Sequence, residues 1–168
     1  MNPLGNSLDI VAGIVPQDLQ TARTGDYISL KGAAGVLIVI FKGAGTAGDD
    51  PDFTLNQATA VAGTGAKVLN AVETIYKKQG TLTAVGAWTK VTQAADELFS
   101  ADDTSAESQG LYVIDVPADK LDVDNGYDCL SVDAADVGTN AQLGCVLYIL
   151  YGLRYADQPE NLESKIVD

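Results

Sequence analysis

Six consecutive apolar residues, Val36, Leu37, Ile38, Val39, Ile40 and Phe41, lie between Gly35 and Lys42. Four of them are β-branched, and β-branched side chains are stiff at χ1 and favour extended backbone over helix. The run is far shorter than the roughly 20 apolar residues a membrane-spanning helix needs. It therefore reads as a β-strand buried on both faces. A glycine-rich, acidic segment follows, GAGTAGDD from Gly43 to Asp50, and then Phe53 and Leu55 alternate with Thr54 and Asn56. Strand, turn, strand is the expected order, built around an antiparallel β core.

Further strands are expected near residues 26–31, 35–42, 53–60, 67–77, 86–92 around Trp88, 110–116, 126–133 and 142–151. Within 67–77, Val68, Val72, Thr74 and Tyr76 are expected on one face. Eight or nine short strands separated by Gly, Asp, Asn and Pro clusters predict an all-β fold, an antiparallel β-sandwich. One short helical turn is expected at VPADKL, opening at Pro117. An immunoglobulin-like arrangement would place a tryptophan between two cysteines, whereas Trp88 precedes both Cys129 and Cys145. The jelly roll is thus the expected sandwich. Residues 1–24, with Pro3, Gly5, Gly13 and Pro16, read as an N-terminal arm or irregular edge strand. Residues 25–155 form the expected sandwich domain, and 156–168 a polar C-terminal tail, either disordered or laid on a neighbour.

The 168 residues carry 23 acidic against 10 basic side chains, a formal charge of -13. Without a basic patch, phosphate-neutralising contacts cannot be assembled, so neither nucleic acid nor an anionic membrane surface is an expected partner. The two cysteines sit in strand-like apolar segments and read as free thiols packed as small hydrophobes, with a disulfide between neighbouring strands as the rival. The opening MNPLGNSLDIVAGIVPQDL has no basic segment ahead of a long apolar core, so no secretory leader is expected and synthesis in a cytoplasm is.

There is no histidine, which removes the commonest general base and zinc ligand. Gly-x-Ser-x-Gly, P-loop and dinucleotide fingerprints are missing, and GAGTAGDD has neither the lysine nor the following helix of a phosphate loop, so it reads as a hairpin connection. The acidic pairs Asp49/Asp50, Asp102/Asp103 and Asp133/Asp136 read as solvated turn residues, not as facing catalytic carboxylates. No enzyme activity and no cofactor are expected.

The segment DVDNGYD offers Asp122, Asp124 and Asp128 as oxygen ligands beside Gly126, the chemistry a calcium loop uses. It lacks the full twelve-residue loop and its closing glutamate, and an Asn125-Gly126 turn accounts for the same residues. Tyr148, Tyr151 and Tyr155, beside Arg154, admit three readings: packing of the last strand, a sugar-stacking platform, or an interface rim. The candidate interface residues are Ile10, Val11, Tyr151, Arg154, Tyr155, Ile166 and Val167.

The blocks GDYISLKGAAGVLIVIFKGAGTAGDDPDFTLNQATAVAGTGAKVLN, TAVGAWTKVTQA and LGCVLYILYGLRYADQPENLESKIVD resemble virion structural proteins of tailed bacteriophages. These are small proteins that accompany the major capsid protein. The likeness runs from about Ile14 to Asp168 and rests on overall phrasing, so no site residue is carried over. It implies a head decoration or cement protein on the capsid exterior, with the major capsid protein as partner. Repeated surface contacts around a symmetry axis make a homotrimer the expected assembly. A carbohydrate-binding jelly roll, a head fibre or a tail protein displayed on the particle is the alternative.

Overall fold

The computed structural model describes residues 3–46, 51–79, 86–100, 109–136, 138–155, 158–162 and 164–165. Their strands are β1 (Leu8–Asp18), β2 (Ile28–Ser29), β3 (Gly35–Lys42), β4 (Asp52–Ala58), β5 (Lys67–Val68), β6 (Val72–Gln79), β7 (Thr89–Asp96), β8 (Leu98–Ser100), β9 (Gly110–Pro117), β10 (Cys129–Ala134) and β11 (Leu143–Tyr151). One sheet runs β1-β11-β3-β9-β6-β7, and the second β2-β10-β4-β5 with β8 also paired to β4. Every strand pairing is antiparallel. Among the described residues no helix is long and apolar enough to cross a membrane.

Without the inserted β6–β7 pair and the short β8, eight strands remain. Counted in chain order, the first, eighth, third and sixth lie side by side in one sheet and the second, seventh, fourth and fifth in the other. That interleaving is the jelly roll. It also corrects the hairpin expected at Gly43–Asp50. β3 and β4 lie in different sheets, so they are not the paired neighbours of a hairpin.

The core follows from strand parity, since alternate residues point to opposite faces. Val36, Ile38 and Ile40 of β3, Tyr112, Ile114 and Val116 of β9, and Val146, Tyr148 and Leu150 of β11 are buried from the first sheet. Phe53 and Leu55 of β4 and Leu130, Val132 and Ala134 of β10 meet them from the second. At one end an aromatic cluster fills the gap: Phe99 stacks on Phe53 at 6.2 Å and tilts against Tyr112 at 5.0 Å between ring centres.

Two segments depart from expectation. Residues 67–77 are not one strand: β5 and β6 sit in different sheets, and a register shift between Val72 and Thr74 makes Val72 and Ile75 the buried pair, leaving Tyr76 outside. Of the two readings of the N-terminus, the edge strand holds for Leu8–Asp18. β1 pairs with β11 from Leu8 opposite Tyr151 to Asp18 opposite Leu143, with bulges near Gly13 and Pro16. The helical turn expected at Pro117 is a 3-10 turn at Ala118–Lys120, and the strand around Trp88 begins just after it.

Candidate interaction face

The strand expected to be buried twice over is buried once. Leu37, Val39 and Phe41 alternate with the core residues of β3 and point away from the second sheet, with Leu37 and Val39 half-buried and Phe41 52% exposed. Register carries this outward face across the sheet in rows. Ile10, Ile149, Leu37 and Asp115 align in one row; Ala12, Leu147, Val39, Val113 and Tyr76 align in the next; Cys145, Phe41, Leu111 and Lys78 align in a third. Ile10, Leu147 and Tyr76 are exposed. Five strands, β1, β11, β3, β9 and β6, thus present a nearly uncharged aliphatic surface to solvent. An outer sandwich face is normally polar, and a contiguous apolar patch of this breadth marks a binding surface.

The charges on this face are few and placed. Tyr151 donates its hydroxyl hydrogen bond to Asp115 Oδ1 at 2.8 Å, so the one carboxylate of these rows has a partner. Burial first and that carboxylate second push the Tyr151 phenol up to about 12. Lys78 and, beside Tyr76, Lys90 lie at the β6–β7 side, and the Lys78 ammonium sits 5.5 Å from the Trp88 ring centre. β7 itself is exposed along its whole length.

Of the sequence candidates, Ile10 belongs to this face and Val11 points the other way, against the core. The three tyrosines form no platform: Tyr148 is fully buried, Tyr151 is half-buried, and Tyr155 is 83% exposed. Arg154 is exposed, and its amide donates to the Gly32 carbonyl at 2.8 Å. The tail expected to be free or on a neighbour returns to its own molecule, with the Ser29 amide donating to the Lys165 carbonyl at 3.1 Å. Ile166 and Val167 lie outside the described residues, as do Asp49, Asp50, Asp102 and Asp103.

The acidic turn is a closed structural unit. Val123–Asn125 form a 3-10 turn that ends at Gly126, whose φ of 83° lies in the left-handed region open to glycine. Asp122 accepts from Lys67 Nζ through one carboxylate oxygen and from Asn125 Nδ2 at 2.8 Å through the other. These two partners hold its carboxyl below the usual range, Lys67 contributing most. Lys67 also covers the Tyr127 ring at 4.0 Å. Asp128 accepts from the Cys129 thiol at 3.2 Å, and Asp124 stays exposed. Among the described residues no three His, Cys, Asp or Glu side chains converge to hold a metal ion.

Asp133, offered with Asp136 as an acidic pair, accepts from the Gly25 amide at 3.0 Å and from Asn56 Nδ2 at 2.9 Å, and burial raises its carboxyl. Both cysteines are free. Strand parity points Cys129 out of the second sheet and Cys145 out of the first, so their side chains face opposite sides of the sandwich. Burial pushes the Cys129 thiol up to about 12 and raises Cys145 as well. A shallow depression of about 230 Å³ lies among Leu30, Lys31, Leu121, Val123, Asp128 and Arg154.

Sequence reasoning missed Leu37, Val39, Phe41, Val113 and Leu147 as a surface. The signal was present, because a strand apolar at both parities needs two covers, and the second sheet supplies only one. Comparison with protein-family models, curated proteins and solved structures finds no match.

Proposed function

We propose that this chain is a non-enzymatic structural protein of a tailed-phage virion. In this reading it is a head decoration or cement protein that binds the outside of the assembled capsid and stabilises contacts between major capsid subunits. The observation that carries the reading is the aliphatic outer face of the six-stranded sheet, whose burial against protein is its main available source of binding free energy. Burying apolar surface is worth roughly 25 cal/mol per Å² before the costs of association, so a face of this breadth can sustain a specific contact.

The charge distribution agrees with such a role. A net charge of -13 keeps the chain away from packaged DNA and soluble at the concentrations of virion assembly. The apolar rows hold a single carboxylate, Asp115, which accepts the Tyr151 hydroxyl. Several copies on one lattice add avidity to individually weak contacts. Phage heads prepared without the protein are expected to gain resistance to heat when the purified chain is added. Heads that neither bind it nor gain resistance would remove the proposal.

A further inference from the structure

Resting on the binding role proposed above, we infer that the β6–β7 corner of the outward face is a carboxylate-recognition site, built from Lys78, Lys90, Tyr76 and Trp88. Its occupant is an extended segment of the partner protein with acidic side chains at alternate positions, which meet the two lysines while the rest of the partner covers the aliphatic rows.

The corner is a square of two aromatic and two cationic side chains. Tyr76 of β6 stands opposite Lys90 of β7. Lys77 pairs with Thr89, so the next residues along, Lys78 and Trp88, stand side by side, and the Lys78 ammonium lies 5.5 Å from the Trp88 ring centre. Lys78 is half-buried, whereas Lys90, Tyr76 and Trp88 are exposed. The two lysines occupy one diagonal of the square and the two rings the other. Diagonal neighbours on adjacent strands are roughly 7–8 Å apart. Alternate residues of an extended segment are spaced by roughly 7 Å and point to one side, so two carboxylates so placed match the two lysines.

Charge selects the acidic occupant. The described ion pairs are Lys67 with Asp122 and Lys120 with Glu73, and neither corner lysine belongs to one. Asp115, the carboxylate of the apolar rows, is bonded to Tyr151 across β3. In a chain with 23 acidic and 10 basic side chains, two cations thus face outward with no carboxylate of the described residues to hold them.

Their position ties them to the same docking event. Tyr76 belongs both to the corner and to the row of Ala12, Leu147, Val39 and Val113. A partner that covers this row to its end also removes water from Lys90, opposite Tyr76, and a desolvated ammonium is costly unless a carboxylate meets it. A wholly apolar partner leaves that cost standing; an acidic segment offsets it through charge-assisted hydrogen bonds. Nucleic acid, as a long polyanion, would approach against the charge of -13 on the whole chain, whereas two carboxylates within a largely apolar contact meet only the corner.

The test follows association of the full chain with phage heads lacking it, over a range of ionic strength. Wild type should associate more slowly as salt is added, because salt screens the attraction that steers encounter. The double variant Lys78→Gln, Lys90→Gln should associate roughly tenfold more slowly at low salt and lose the salt dependence, while keeping a cooperative melt. Equal association of both chains at every ionic strength overturns the carboxylate site; loss of that binding in Leu147→Lys then leaves the aliphatic face as the contact without it. Heads that bind no wild type remove the binding role and this inference together. Trp88 is the only tryptophan, so its emission reports the corner directly. A short peptide with glutamates at alternate positions among valines should shift that emission in wild type and not in the double variant, and its glutamine counterpart should shift neither. No shift with the glutamate peptide, or a shift with a heparin oligosaccharide alone, overturns an acidic protein segment as the occupant.

Discussion

The Val132 amide donates to the Tyr148 hydroxyl at 2.9 Å, a bond that runs from β10 in one sheet to β11 in the other. β2 covers β10 only at Cys129 and Leu130, and Arg23 bridges Ala134 further along, so the tyrosine fills the gap between them on that edge. Gly13 packs on the same ring so closely that an added Cβ would stand 2.3 Å from a ring carbon. Removing the hydroxyl leaves a buried amide without its partner, a loss of roughly 1–3 kcal/mol. Tyr148→Phe should therefore lower the urea midpoint without changing the slope, and an unchanged midpoint contradicts the account. Sequence could not place this residue. Val146, Tyr148 and Leu150 alternate with Leu147, Ile149 and Tyr151, and with both sets apolar the parity that marks the core is silent. A second residue-scale expectation concerns Asp122. Lys67 and Asn125 depress its folded pKa below the ordinary 3.8, so its stabilising contribution is present at neutral pH and is lost as pH falls through that lowered value. Asp122→Asn should shrink the difference in melting temperature between neutral and strongly acid solution; an undiminished difference would show that the pair does nothing.

Among the elements, β1 carries the clearest consequence. Proline and glycine near residues 3–16 pointed to an arm as readily as to an edge strand, because both break regular pairing. Here they coincide with bulges, and the strand continues past them to Asp18. Ile14 is buried and Gly13 closes over Tyr148, so β1 is part of the body. Deleting residues 1–18 should abolish the cooperative thermal transition measured by circular dichroism. A deletion that melts like the full chain would return this segment to the status of an arm. β3, β9 and β11 were legible almost to the residue, since each is a continuous apolar or alternating run ended by Gly, Pro or Asp. The crossing of β3 to β4 was not, because a glycine-rich connection looks alike whether it turns within a sheet or passes between two. β6 failed for a different reason: one bulge reverses the face of every residue after it.

For the molecule as a whole, antiparallel sandwich architecture follows from short strands, frequent turn residues and too few helical periods, and the structure has it. The interaction face is written in the same residues but needs the fold to be seen, because only sheet order brings Ile10, Leu147, Val39, Val113 and Tyr76 into one row. The account's central claim is that this row and its neighbours hold protein. Co-sedimentation of the purified chain with phage heads lacking it, wild type against Leu147→Lys of equal thermal stability, addresses that claim directly. Wild type should pellet with the heads and the variant should remain in the supernatant. Equal pelleting of the two would contradict the claim.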